Sequence, residues 1–429
     1  MLNIDQIRRS PGDVAAALAR RGEDANFGEL LRLDEDRRAA VTERDTLRAT
    51  HNQLSREFGQ LMAASRSGGG DPARLEELRS ETQSLNDRVE NLGETIREAE
   101  STIETLMLEL PNLPLESTPD GLDESANTVV SLWGEARSYG FAPMAHWDLG
   151  DKLGIIDMER GAKLSGARFY VLTGPAARLE RALISWMLDV HTREHGYTEM
   201  ALPAMVREQV MLGSGNLPKF GDNLYRDVEE DLWLLPTAEV ALTGLHRDEI
   251  LSPGSLPLKY VAQTPCFRRE KAAAGRDTRG IKRVHQFNKV EMYQLVEPDQ
   301  GEAALDSLVE DASDLLRRLE LPHRVLSLCA GDMGFQSAKT YDIEVWSPGC
   351  EEWLEVSSCS TCTDFQARRS NLRYRPEAGA RPQYPHTLNG SGLALPRVII
   401  AVLETYQRED GSIETPSALR PYIGSDTLV

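Results

Sequence analysis

The apolar positions of this chain fall into two regimes. In the first, Leu33, Ala40, Leu47, Leu54 and Leu61 recur every seven residues, with Leu30 and Phe58 at the complementary heptad position. Ser65-Arg66-Ser67-Gly68-Gly69-Gly70-Asp71-Pro72 then breaks any helix. A second run follows through Leu75, Leu78, Thr82, Leu85, Val89, Leu92, Ile96, Ala99, Ile103, Leu106 and Leu110, alternating steps of three and four. Two such helices joined by a short Gly-rich turn predict an antiparallel hairpin over about 28–110, each helix roughly 50 Å long. An element of that length has to reach something, either a second copy of the chain or a polyanion. Arg37, Arg44 and His51 at a-type positions weaken a multi-helix seam and suit a thin two-helix arm. The second helix is the more acidic, so a polyanion would meet the first helix and the tip, where Arg56, Arg66 and Arg74 gather. Before the arm, 1–26 reads as a helical lead-in, with Asp13 capping a helix over 14–21. After Pro111-Asn112-Leu113-Pro114, residues 113–150 read as a linker with few apolar runs.

Beyond about 150 the pattern alternates amphipathic helices with short strands, which predicts an α+β domain over 151–429. Leu179–Thr192 reads as a strong helix and Met200–Val206 as a strand. Thr264–Glu270 is a compact strand. A loop with Gly275, Arg276, Asp277, Arg279 and Gly280 follows, and Val284–Met292 returns with alternating character. Antiparallel pairing would bring Arg268 and Glu270 near Phe287 and Glu291 on one face. That face offers a guanidinium for phosphate, a ring for stacking and carboxylates for amino groups. It suits a nucleotide and an amine-bearing substrate, although a surface hairpin with solvated ion pairs would carry the same charges.

Composition narrows the classes. A hydrophobic content of 40% and a charged content of 27% are those of a globular protein. No apolar run reaches the roughly 18 residues of a membrane span, and the first residues lack a signal-peptide core, so a cytoplasmic protein is expected. Five cysteines, an odd number, read as reduced thiols. Cys359 and Cys362 form a CxxC with no second half, so no structural zinc is expected. A net charge of −20 opposes nucleic-acid binding unless a local basic track exists. The absence of GxxxxGK[ST] argues against a P-loop.

The stretch Thr264–Tyr293 resembles motif 2 of class II aminoacyl-tRNA synthetases, in the form found in seryl-tRNA synthetases. Three further segments fit the same family. Leu388-Asn389-Gly390-Ser391-Gly392-Leu393-Ala394-Leu395-Pro396-Arg397 resembles motif 3, Leu235-Pro236-Thr237-Ala238-Glu239-Val240 the serine-binding loop, and Glu355-Val356-Ser357-Ser358-Cys359-Ser360 the metal-binding segment. The helix and strand around 179–206 resemble motif 1, which builds the dimer interface. The heptad hairpin resembles the arm that grips the long variable arm of the tRNA.

The resemblance implies an antiparallel sheet flanked by helices, preceded by a tRNA-binding domain over 1–112. It implies activation of L-serine with ATP and transfer to tRNA(Ser), and to tRNA(Sec) where present, by a homodimer. It assigns Arg268 and Arg397 as catalytic, and Thr237, Ala238, Glu239, Arg268, Glu291, Asn389 and Ser391 to serine. ATP would meet Arg268, Arg269, Glu270, Val284, Phe287, Glu355, Val356, Ser357, Ser358 and Arg397, with Mg2+ on Glu355 and Ser358. The sequence departs from the commonest family pattern at Arg269, 271–274, Thr361 and Pro396, and the changes in the loop touch the region that the resemblance places at the tRNA acceptor end. Two other readings share these residues. One is a paralogue, either an inhibitor-resistant duplicate or a seryl-adenylate-forming ligase with another acceptor. The other is a coiled-coil interaction protein on an inactive scaffold, against which the full set Arg268, Glu270, Glu291, Glu355 and Arg397 speaks.

Overall fold

The computed structural model describes residues 1–66, 69, 71–271 and 279–429. The turn residues Ser67, Gly68 and Gly70, and the loop residues Ala272–Ala274, Gly275, Arg276 and Asp277, lie outside the described residues. The chain divides into two units: Asn3–Ala15 with Asp24–Leu110, and Met1–Leu2 with Ala16–Glu23 and Pro111–Val429.

The first unit is the helical hairpin, Gly28–Arg66 and Pro72–Leu108. Asp71 caps the second helix, accepting from the backbone N–H of Ala73 at 3.0 Å, and Pro72 occupies the first turn, where a missing N–H costs nothing. Ion pairs across the seam fix the antiparallel sense: Arg74 with Glu57 at 2.9 Å, Arg88 with Glu43 at 2.7 Å and Arg37 with Glu100 at 3.3 Å. The heptad positions Leu47, Leu54, Leu61, Leu85, Val89 and Leu92 are half-buried, and Leu78 and Ile96 are buried. Half-burial is what a seam of two helices gives, since each seam residue is covered from one side. Arg37, Arg44 and His51 lie along the same half-buried stripe. Arg74 at the tip is paired with Glu57 and Glu77, so its charge is already engaged.

Nearer the other end, the buried carboxylate of Asp34 accepts from Arg8 Nε at 2.8 Å, Arg38 Nε at 3.0 Å and Arg37 Nη2 at 3.3 Å. Burial works against its charge, and the guanidinium groups outweigh it, so the carboxyl sits below its usual range. The lead-in consists of Ile4–Arg9 and Pro11–Ala19. Asp13 lies within the first turn of the latter and does not cap it, because Pro11 starts the helix three residues earlier than expected.

The second unit is built on an eight-stranded sheet among the described residues. In chain order the strands are β1 Thr128–Trp133, β2 Thr198–Glu199, β3 Leu258–Phe267, β4 Gln286–Val296, β5 His323–Ser327, β6 Lys339–Ser347, β7 Glu352–Thr363 and β8 His386–Ala394. Their order across the sheet is β1-β5-β6-β7-β8-β4-β3-β2. Every pairing is antiparallel except β2 with β3. Helices Pro175–Arg193, Gly301–Arg318 and Leu395–Thr405 pack on the sheet through a core that includes Leu179, Leu183, Leu308, Val398 and Ile399. Val290 and Met292 of β4 join that core, so the alternate residues of β4 are free for chemistry.

Three expectations need correction. The strand expected over Met200–Val206 is broken. Thr198–Glu199 joins the sheet edge, Met205–Val206 pairs with Trp233–Leu234, and Pro203 between them has no N–H for a ladder. The segment expected as a linker over 113–150 carries edge strand β1 and the helix His146–Leu153. All of β1 is exposed, so its sequence shows no alternation to betray it. The strand expected over Thr264–Glu270 starts earlier, at Leu258, and ends at Phe267, ahead of Glu270 with its positive φ of 49°.

Candidate active site

A cavity of about 760 Å³ opens on the sheet of the second unit. Strand β4 supplies Phe287, Lys289 and Glu291, every second residue. Just past β3, Arg268 donates from Nε to the carbonyl of Pro236 at 3.1 Å, and its guanidinium lies 5.4 Å over the Phe287 ring. Glu270 lines the cavity beside it, 3.6 Å from Arg283. Val284 lines the same end, close to Lys282, which pairs with Glu352.

At the other end, Thr237 caps the short helix Ala238–Gly244, and this cap presents both Thr237 and Glu239 to the cavity. Lys289 Nζ donates to Thr237 Oγ1 at 2.7 Å and pairs with Glu291, whose Oε2 accepts from Thr237 Oγ1 at 3.2 Å. Glu239 Oε1 accepts from Gln366 Nε2 at 2.7 Å, Asn389 Nδ2 at 2.9 Å and, more weakly, Gln336 Nε2 at 3.4 Å. Burial, and then the neighbouring Glu291, push the Glu239 carboxyl up to about 7.

Strands β7 and β8 close the site. The ladder between β6 and β7 pairs Ile343 with Ser357 and Glu344 with Glu355, leaving Val356 as an extra residue. Three residues apart on a regular strand, Glu355 and Ser358 would face opposite ways. The bulge at Val356 lets both line the cavity. On β8, Asn389 and Ser391 face in, and the ladder with β4 then breaks between Ser391 and Ala394, where Leu393 has a φ of 113°. Gly390 and Gly392 have no room for a Cβ, which would meet Leu308 at 1.9 Å and the His191 ring at 2.6 Å respectively. Pro396 fits in the first turn of the helix Leu395–Thr405. Arg397 on that turn donates from Nη1 to the Glu355 carbonyl at 2.7 Å and lies 3.4 Å from the Glu355 carboxylate.

The cavity therefore gathers Arg268, Glu270, Val284, Phe287, Thr237, Glu239, Glu291, Glu355, Val356, Ser358, Asn389, Ser391 and Arg397. Three expected site residues do not line it. Ala238 packs into a separate apolar cluster. Arg269 turns away, donating to the Leu224 carbonyl at 2.8 Å and stacking on Tyr225. Ser357 points to the opposite side of β7 and donates to the Ser391 carbonyl at 2.6 Å.

Other residues of the site escaped the sequence reading. Lys289 was visible in principle, since it shares the period of Phe287 and Glu291. Gln336, Gln366 and Asp342 carried no local signal, because they reach the site only through tertiary packing. Asp342 stands opposite Ser358 in the ladder and lines the cavity. Burial, and then Glu355, drive its carboxyl well above the usual range, and its Oδ1 is buried without a partner among the described residues. Such a set of hard oxygen donors, Glu355, Ser358 and Asp342, fits Mg2+. A second cluster, His146, Cys350 and Glu404, has ligand atoms within 4.8 Å of one another. Its His146 is already engaged at both ring nitrogens, Nδ1 with Glu404 at 3.0 Å and Nε2 with the Ile281 N–H at 3.2 Å. Cys359 and Cys362 are both buried, and Cys362 Sγ accepts from Asn389. Among the described residues no helix is long and apolar enough to cross a membrane.

Comparison with known proteins sets this geometry in context. The family model of the tRNA synthetase class II core domain (G, H, P, S and T) matches residues 222–406, and that of the seryl-tRNA synthetase N-terminal domain matches residues 1–114. The chain is 55% identical to the serine–tRNA ligase of Thermomicrobium roseum over 429 residues, covering 100% of this chain and 95% of that one. It is 54% identical to that of Roseiflexus sp. (strain RS-1), covering 100% and 99%. Among solved structures, seryl-tRNA synthetase from Pyrococcus horikoshii complexed with ATP superimposes with a TM-score of 0.91 at 38% identity, covering 100% of this chain and 99% of that one.

Proposed function

The chain belongs to the seryl-tRNA synthetase family, and from that premise we propose which of its residues carry the reaction. It is an ATP-dependent, AMP-forming serine–tRNA ligase, which activates L-serine to seryl-adenylate and transfers the seryl group to tRNA(Ser). In the first step the serine carboxylate attacks the α-phosphorus of ATP and pyrophosphate leaves. Two anions must meet, so the protein's task is positioning and charge neutralisation. Arg268 takes the α-phosphate, because its planar fork stays charged and bonds two oxygens. Arg397 takes the distal phosphate. Each guanidinium group also donates to a backbone carbonyl, Arg268 to that of Pro236 and Arg397 to that of Glu355. Phe287 stacks under adenine, Glu270 accepts from its amino group and the backbone of Val284 lies beside it. Glu355 and Ser358, with Asp342 beside them, would hold Mg2+, which supplies further neutralisation of the phosphates when bound.

Glu239 takes the serine ammonium, and Glu291 reads its hydroxyl, with Thr237, Asn389 and Ser391 completing the pocket. Alanine would leave Glu291 without that partner in a buried site. In the second step a ribose hydroxyl of the tRNA attacks the carbonyl carbon and AMP leaves. Residues 1–112 serve the tRNA, with the hairpin over about 28–110 as the grip, and 151–429 perform the chemistry. The chain works as a cytoplasmic homodimer through its motif 1-like segment, and charges tRNA(Sec) where that tRNA is present.

The observation that supports this reading is the convergence of Arg268, Phe287, Glu239, Glu291, Glu355 and Arg397 on one cavity. The test is serine-dependent exchange of pyrophosphate into ATP, followed by charging of tRNA(Ser). Exchange without charging would point to another acceptor, and absence of both to an inactive scaffold.

A further inference from the structure

Gln366, on the short helix Phe365–Arg369, is fully buried and uses its whole amide. Nε2 donates to Glu239 Oε1 at 2.7 Å and to the Ser214 carbonyl at 3.0 Å. Oε1 accepts from the Thr387 hydroxyl at 2.6 Å and the Tyr293 hydroxyl at 3.4 Å. The amide can be placed only one way round, since the reverse orientation would set its oxygen against two acceptors. The described donors to the Glu239 carboxylate all fall on Oε1, and Glu239 lines the cavity, which leaves Oε2 for a ligand.

We propose that Gln366 is a positioning residue that keeps Glu239 an ionised acceptor for the substrate ammonium, and so sets the pH range over which serine is bound. The idea rests on the reading of Glu239 given above. An N–H donor at 2.7 Å stabilises a carboxylate over its acid, because only the charged form accepts at full strength. The other groups around Glu239 pull both ways. Glu291 on β4 disfavours its charge and Lys289 on the same strand favours it. Cys362 on β7 and Tyr293 on β4 are neutral, each held so mainly by burial. Ammonium binding therefore has to draw on the two close amides, of which Asn389 also faces the substrate and Gln366 does not.

The experiment is pyrophosphate exchange by the full-length protein between pH 6 and 9, reading KM for serine and for ATP separately. Gln366→Met keeps the volume and removes the donors. It should raise the serine KM at pH 7 by about 10-fold or more, leave the ATP KM within about twofold, and move the acid limb of the serine KM profile up by about one pH unit. Thr387→Val removes only the hydroxyl that orients Gln366 and should move the limb the same way by less. A folded Gln366→Met protein whose serine KM rises equally at every pH, or not at all, overturns the proposal. Should that protein fail to fold, Thr387→Val decides, and an unmoved limb overturns it. Glu239→Gln separates the two ideas. If it spares the serine KM, the reading of Glu239 falls. If it raises that KM strongly while the limb stays put in the Gln366 and Thr387 variants, Glu239 stands and Gln366 is only structural.

Discussion

Asp34 in the arm and Glu239 in the cavity are both buried carboxylates, and their surroundings treat them oppositely. Asp34 meets Arg8, Arg37 and Arg38, and its carboxyl is held below the usual range. Glu239 meets neutral amides and a second acid, and its carboxyl is pushed up to about 7. Asp342 lies on the same side of the comparison, with a buried oxygen lacking a partner among the described residues. Burial alone therefore does not mark function here. Compensation does: the arm completes its charges within the chain, and the cavity leaves charges for a ligand to complete.

The comparison can be broken first at the largest effect. Arg268→Ala should lower pyrophosphate exchange by at least 10²–10³-fold, roughly the cost of a lost donor at a site of developing charge. Exchange within about threefold of the parent would remove Arg268 from the mechanism. The arm makes the opposite prediction for the same assay. Replacing about 28–110 with a short Gly/Ser linker should spare exchange, since Arg268, Glu291 and Arg397 all lie beyond it, and should cut tRNA charging by about 10²-fold or more. The salt dependence of tRNA affinity should flatten as well. Charging at parental efficiency by the folded deletion protein would return the heptads to a dimerisation role.

Smaller effects sharpen the contrast between the two acids. Glu291→Ala should cost serine kcat/KM about 10–10²-fold with little change in ATP affinity, as expected for a lost hydrogen bond to a charged group. Equal damage to both substrates would argue against its reading the hydroxyl. In the unaltered protein the serine KM should fall as pH rises from 6 to 8. Glu239 has a raised value, so it is mostly protonated below about 7 and gains its charge above. A flat profile would mean that the ammonium is held elsewhere. Asp34→Ala should leave exchange untouched and destabilise the arm by about 1–3 kcal/mol, measured by denaturant unfolding of the full chain. The Asp34 value is depressed, so its contribution is complete above the ordinary carboxylate range and fades only as acid takes the pH through the folded value. Loss of that contribution near neutral pH would contradict the compensation seen in the structure.

The arm was almost wholly legible in the sequence, down to the half-buried stripe, because a heptad repeat is a local property. The alternation that sets Phe287 and Glu291 on one face was legible for the same reason, and it carries Lys289 between them. What was not legible depends on distance along the chain or on irregularity. Gln366 reaches Glu239 across 127 positions. Arg268 and Arg269 look equivalent in sequence, and only the end of β3 at Phe267 sends one into the cavity and the other onto Tyr225. Strand β1 escaped notice because an exposed edge strand has no buried face to pattern.

The bulge at Val356 has a consequence for how this chain can change over time. Glu355 and Ser358 share a face only while Val356 stays out of the ladder: a strand that took Val356 into register would turn Glu355 away from Ser358, whereas loss of position 356 would leave the two residues two apart and still on one face. The bulge and the spacing of three are thus tied to each other, separately from side-chain identity. Descendants of this chain that lose the bulge should lose position 356 along with it.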